Sequence, residues 1–146
     1  MGYKFQIFVF VIVFAFVCSS CDNHHSSNGK LDGFWQMTNI ECFGNCKKAD
    51  IYNLPMYWAV QVDLLNIRQD KATYGLFFRF RQTKDSLIIS EPYINNRDSS
   101  DIKITEAALL YPYGIYHLKE GFAIESLTNS AMILKSDSVR LVFRKY

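Results

Sequence analysis

Residues 73–82 read Thr-Tyr-Gly-Leu-Phe-Phe-Arg-Phe-Arg-Gln, and their spacing decides the fold class. Tyr74, Leu76, Phe78 and Phe80 fall on one side of an extended chain, with Thr73, Gly75, Arg79 and Arg81 on the other. Phe77 breaks the alternation. A period of two with one apolar face marks a strand half buried in a core. The spacing recurs in Trp58, Val60, Val62 and Leu64, and again in Val139, Leu141 and Phe143 set against Arg140 and Arg144.

Short polar clusters separate these runs: Gln69-Asp70-Lys71, Thr83-Lys84-Asp85, Lys119-Glu120-Gly121, Thr128-Asn129-Ser130 and Ser136-Asp137-Ser138. Connections this brief join antiparallel neighbours, because a parallel pair needs a long crossover. The pattern predicts strands at 33–41, 57–68, 72–82, 86–91, 101–105, 115–118, 121–127, 131–135 and 138–145. No segment after Leu31 carries a long helical stripe. The best helical candidate is 105–110, which Thr105 would cap and Pro112 would stop. The expected class is therefore all-β, a sandwich or a small antiparallel up-and-down barrel of about eight or nine strands. Closure into a barrel would remove exposed strand edges and leave room for packed side chains or one small ligand.

Upstream, the chain has a different character. Residues 5–17 form a nearly unbroken apolar run after Lys4, ending in Cys18-Ser19-Ser20-Cys21. A basic start, a short apolar stretch and small residues at its end describe an exported signal helix. The run falls short of the roughly 20 apolar residues that cross a bilayer. The Ser19-Ser20-Cys21 ending resembles the lipobox of bacterial lipoproteins, with Cys18 where Leu is usual. That resemblance implies cleavage after residue 20 and acylation of Cys21, and so a lipid-anchored envelope protein, held at the outer membrane and facing the periplasm or the surface. The mature chain would keep 126 of the 146 residues, one domain's worth. Residues 21–30 read as a flexible tether, since Asp22 to Lys30 includes no apolar residue. The domain would occupy 31–146.

The domain opens with Gly33-Phe34-Trp35, which looks like the G-x-W signature of lipocalins. Its ending, Ser136 to Tyr146, and the segments Ile89–Asn95 and Tyr111–Ile115 resemble short lipocalin-like lipoproteins of Gram-negative bacteria. The resemblance spans most of 31–146 and implies a small lipocalin-like β-barrel. It also implies that Trp35 closes one barrel end, with Arg140 or Arg144 packed across its ring. The alternative is that Trp35 is plain core and both arginines are solvated.

Cys42 and Cys46 flank Phe43-Gly44-Asn45, a sequence suited to a tight turn. An exported pair so placed is expected to form a local disulfide. Free thiols, a metal site and a redox pair are the weaker readings. His24 and His25 lie in the tether, and His117 is the only histidine within the domain. No metal site and no cofactor are expected. Nor is catalysis: no nucleophile elbow, zinc motif or phosphate-cradling loop is present. Glu91, Glu106, Glu120 and Glu125 are scattered, and nothing singles out two of them as an acid–base pair. Sixteen basic residues against fourteen acidic ones form no nucleic-acid footprint.

Tyr93, Tyr111 and Tyr113 stand in segments expected to cross the barrel ends. A tyrosine joins an apolar ring to a polar tip, which suits a ligand mouth or a protein contact. Two functions therefore stand open: binding of a small apolar or amphipathic ligand inside the barrel, or contact with an envelope protein by a module whose barrel is filled. Beyond these, the expected partner is the membrane itself, through the N-terminal lipid.

Overall fold

The computed structural model describes residues 26–44, 46–47, 55–70, 74–96 and 98–146. The expected signal segment, Cys21, His24 and His25 lie outside these residues. Among the described residues, no helix is long and apolar enough to cross a membrane.

A short 3-10 helix, Gly29–Leu31, leads into β1 (Gly33–Cys42). β2 (Met56–Gln61), β3 (Leu64–Gln69), β4 (Leu76–Gln82) and β5 (Ser86–Ile94) follow as a meander. A two-residue strand, β6 (Ile102–Lys103), and a second 3-10 helix, Ala107–Tyr113, come next. The chain ends with β7 (Glu120–Leu127), β8 (Ala131–Lys135) and β9 (Val139–Lys145). Every strand pair is antiparallel. The order β4-β3-β2-β1-β9-β8-β7-β5 closes through β4–β5 pairing into an eight-stranded barrel, with β6 added beside β5. Of the two all-β architectures that the spacing left open, sandwich and up-and-down barrel, the barrel is the one observed, as the resemblance implied.

Alternation fills the interior. Trp35 and Met37 of β1, Trp58 and Val60 of β2, Leu65 and Ile67 of β3, and Leu76 and Phe78 of β4 are all buried. Leu87 and Ile89 of β5, Phe122 of β7, Met132 and Leu134 of β8, and Leu141 and Phe143 of β9 complete the ring. Phe77 keeps the alternation and faces outward as an apolar residue on the outer wall, while the β4–β5 register slips between Phe77 and Arg79 at a bulge. A bulge places one extra residue on one strand and bends it. Here it falls at Glu91, a non-glycine residue at φ 52°.

Three local expectations are corrected. The single strand expected at 57–68 is a hairpin, in which Gln61 pairs with Leu64 around a two-residue turn, Val62-Asp63. The alternation placed Val62 and Leu64 inside, yet each is 40% exposed, because a two-residue turn moves the inward phase to Leu65. Val62 stands at φ 57°, a conformation a β-branched side chain seldom adopts, so no Asn-Gly signal announced the turn. The helical segment runs over 107–113 with Pro112 inside it, and its N-cap is Glu106 rather than Thr105. Residues 115–118 form no strand; they return the chain to β7.

Residues 26–30, expected as part of a flexible tether, are fastened to the barrel. Ser26 Oγ donates to Asp32 Oδ1 at 2.5 Å, and Asn28 Nδ2 donates to Asp32 Oδ1 at 2.8 Å and to the Val62 carbonyl at 2.7 Å. The segment from Ser26 is therefore docked on the barrel rim. Polar composition signals solvent exposure, but it equally supplies the side-chain donors that fasten a loop.

Candidate functional site

The interior is the first place to look for a ligand, and side chains span it. The Trp58 ring lies 4.9 Å from Phe143 and 6.1 Å from Phe122, centroid to centroid. β2 and β7 stand opposite one another in the ring of eight, four strands apart either way. Trp58 and Phe122 thus bridge the full diameter of the barrel. Tilted and edge-on contacts of this kind are favourable for aromatic rings.

Both ends are closed from the residues nearest to them. At the N-terminal end, Leu31 is fully buried and its carbonyl accepts a 2.8 Å hydrogen bond from Trp35 Nε1. Lys145 Nζ sits 4.3 Å from the centroid of the Trp35 ring and also donates to the carbonyls of Lys30 and Asp32. Gly33 makes room for this: at φ 121°, a Cβ there would lie 2.8 Å from Lys145 Cε. The glycine of the G-x-W sequence therefore admits the cation that covers the tryptophan.

That cation is Lys145, and not Arg140 or Arg144 as the resemblance implied. Lys145 is the ladder partner of Trp35 and shares its side of the sheet, while Arg144 pairs with Gln36 and Arg140 with Glu41, pointing outward. Arg144 Nε donates to Gln36 Oε1 at 2.7 Å. Arg140 bridges Glu125 at 2.6 Å and Glu41 at 3.0 Å, and the Glu125 hydrogen bond pushes its pKa above the usual guanidinium value. The signal was available, since Lys145 continues the inward phase of Val139, Leu141 and Phe143. Replacing Lys145 with Met keeps the aliphatic stem and removes the charge; urea unfolding should show a loss of about 1–2 kcal/mol. An unchanged midpoint would mean that the cation contributes nothing there.

At the other end, the 3-10 helix lies across the opening. Leu110 and Ile115 are fully buried, and Tyr113 and Tyr116 nearly so. Gly114 ends the helix at φ 74°, where a Cβ would come within 2.7 Å of Ile40 Cδ1. Only glycine allows both that backbone conformation and that approach. Tyr111 stacks on Tyr116 at 5.0 Å. Tyr113 is thus core and Tyr111 part of the plug, which corrects their reading as an open mouth. Cys42 and Cys46 are joined in a disulfide at this same end, with Cα atoms 5.2 Å apart. Both pack partly against the core.

The remaining tyrosine, Tyr93, lies on the outer wall. One register row runs Phe34–Ala59–Asn66–Phe77–Tyr93 across β1 to β5, every member facing outward. Phe34 stacks on Tyr57 at 5.3 Å, and Tyr146 meets both edge-on at 5.6 Å. The small Ala59 lets the wall dip into a groove of about 560 Å³ between Leu64 and Phe77. Outer aromatics beside a shallow apolar groove suit contact with another macromolecule.

Catalytic chemistry finds no assembly among the described residues. Glu120 is 3% exposed, but its Oε2 already accepts the backbone N–H groups of Tyr116 at 2.9 Å and His117 at 2.8 Å. Glu125 is held by Arg140. Among the described residues, no group of three His, Cys, Asp or Glu side chains could hold a metal ion. His117 is exposed.

The family model of a lipocalin-like domain matches residues 15–146. A lipocalin-like protein from Bacteroides uniformis superposes with a TM-score of 0.56 at 16% identity, over 81% of this chain and all of that one. An uncharacterised protein from Bacteroides eggerthii gives 0.55 at 18% identity, over 79% of this chain and 98% of the other. No curated protein matches significantly. At such identities the two structures speak for the fold alone, while the family match covers most of the chain. This chain belongs to the lipocalin-like domain family.

Proposed function

We propose that this protein is a lipid-anchored, non-catalytic interaction module of the bacterial cell envelope, working through the outer surface of its barrel. The observation that carries this reading is the Trp58–Phe122 bridge, which occupies the lumen where a lipocalin-like ligand would sit. Clefts lined by described residues open at the rims and on the outer wall. The exposed aromatics Phe34 and Tyr146, with Leu64, supply apolar surface of the kind that protein interfaces use. The anchor rests on the Ser19-Ser20-Cys21 sequence. Two or more acyl chains hold a protein stably at a bilayer, whereas one holds it only marginally.

Two measurements test the reading. The mature lipoprotein, extracted in detergent, should show no thermal stabilisation by a fatty acid or an apolar dye. A lumen ligand at a hundredfold over its dissociation constant would stabilise the fold by about 2.7 kcal/mol, and that result would restore the interior as the binding site. Cys21→Ser should move the protein out of the mature membrane-bound fraction, as soluble chain or uncut precursor. Recovery of mature, acylated Cys21→Ser protein would end the anchor assignment.

A further inference from the structure

The docking of Ser26–Lys30 determines which end of the barrel meets the bilayer. The geometry points to a membrane-facing rim, formed by the β2–β3 and β4–β5 turns with Lys30, that takes the phosphate of anionic phospholipid headgroups. This inference rests on acylation of Cys21. Ser26 Oγ accepts the Val62 N–H at 3.2 Å, and Asn28 holds the Val62 carbonyl at 2.7 Å. Ser26 lies five residue steps after Cys21, and an extended chain covers at most about 3.3–3.6 Å per step. The acylated residue is therefore within about 18 Å of this rim, while the opposite plug lies a barrel's length away.

The rim has the chemistry for that neighbour. A cleft of about 680 Å³ opens there, lined among others by Asn28, Lys30, Val62, Arg81 and Lys84. Lys30, Arg81 and Lys84 are all exposed. Asp63 also lines the cleft, but Arg79 neutralises it in an ion pair. Asp85, on the same turn, offsets the cations only in part. Val62 is held in its left-handed conformation and is 40% exposed at the edge of the cleft. Strain of this kind persists only where neighbours enforce it, here Ser26 and Asn28. An apolar tip among basic side chains matches the boundary between headgroups and acyl chains. Each lysine or arginine beside an anionic leaflet strengthens the contact by about fivefold, within a Debye length of about 8–10 Å.

The test uses the mature lipoprotein reconstituted into phosphatidylcholine vesicles, with or without phosphatidylglycerol. Flotation reports the anchor, and amide hydrogen exchange reports the rim. Exchange in the turns at 62–63 and 83–85 should be roughly tenfold slower in the phosphatidylglycerol vesicles. High salt, or the triple change Lys30→Glu, Arg81→Glu and Lys84→Glu, should abolish the difference. The triple variant should keep the wild-type melting point in neutral vesicles, since all three side chains are exposed. Failure to float with either vesicle would sink the anchor reading, and this inference with it. Flotation with both but equal exchange at the two turns would overturn the rim alone. Protection reproduced by inorganic phosphate with neutral vesicles would also overturn it, assigning the cleft to a soluble anion.

Discussion

Trp58→Ala should cost about 3–5 kcal/mol of folding stability in urea or thermal unfolding, the range for emptying a buried aromatic site. Trp58 is fully buried and touches rings on two other strands, so its removal opens a void at the centre of the barrel. The surrounding strands belong to a closed hydrogen-bonded ring, which has little freedom to collapse into the gap. Domains of this size hold only about 5–15 kcal/mol in total, so the loss is a large share. Trp58→Phe gives the contrast. Trp58 Nε1 is buried with no hydrogen-bond partner among the described residues, so removing that donor removes a group whose burial costs about 1–3 kcal/mol. The Phe variant should therefore lie within about 1.5 kcal/mol of wild type. The emptied Ala variant should also gain stability from indole or benzene, because an apolar cavity stays dry and accepts such guests. A Trp58→Ala change of less than about 1 kcal/mol would mean that the interior is not packed around this ring.

Glu120→Ala should cost about 3 kcal/mol, the second-largest effect of a single change. One carboxylate oxygen holds two backbone N–H groups, of Tyr116 and His117, in a buried corner. Charged acceptors make the stronger hydrogen bonds, and donors stranded away from water carry the full desolvation penalty. Glu120→Gln keeps an acceptor oxygen and should lose roughly half as much. The position of the damage matters as well as its size. Exchange of the Tyr116 and His117 amides should accelerate in Glu120→Ala before the barrel as a whole unfolds, because these residues return the end plug to β7. Unchanged exchange at those amides would show that Glu120 does not fasten the turn.

How far the chain could be read from its residues depended on distance along it. Period-two spacing and turn clusters are local, and they located seven of the nine observed strands as separate segments, while merging β2 with β3 and adding a strand at 115–118 that does not form. The miss at 57–68 was also local in origin, since a left-handed Val62 leaves no turn signature. The tyrosines show the other limit. Tyr111 and Tyr113 sit in a segment that sequence marks only as a loop, and whether it stands open or folds back over the lumen depends on Ile40 and Leu141 meeting Gly114 from far along the chain.

The residues alone therefore determined an all-β domain with inward and outward faces, a cysteine pair spaced for a bridge, and an apolar N-terminus ending in a lipobox-like sequence. Each is written in neighbouring side chains, where the energetics of alternation, turns and short loops act. The tertiary structure decided the rest: a lumen bridged by Trp58 and Phe122, Lys145 as the cation on Trp35, and a polar segment docked on the rim. Those outcomes depend on strand order and register, which bring Trp35 opposite Lys145 across most of the chain's length. Ring closure makes partners of residues that no local pattern relates, and a shift of one residue in register would exchange every inward side chain for an outward one.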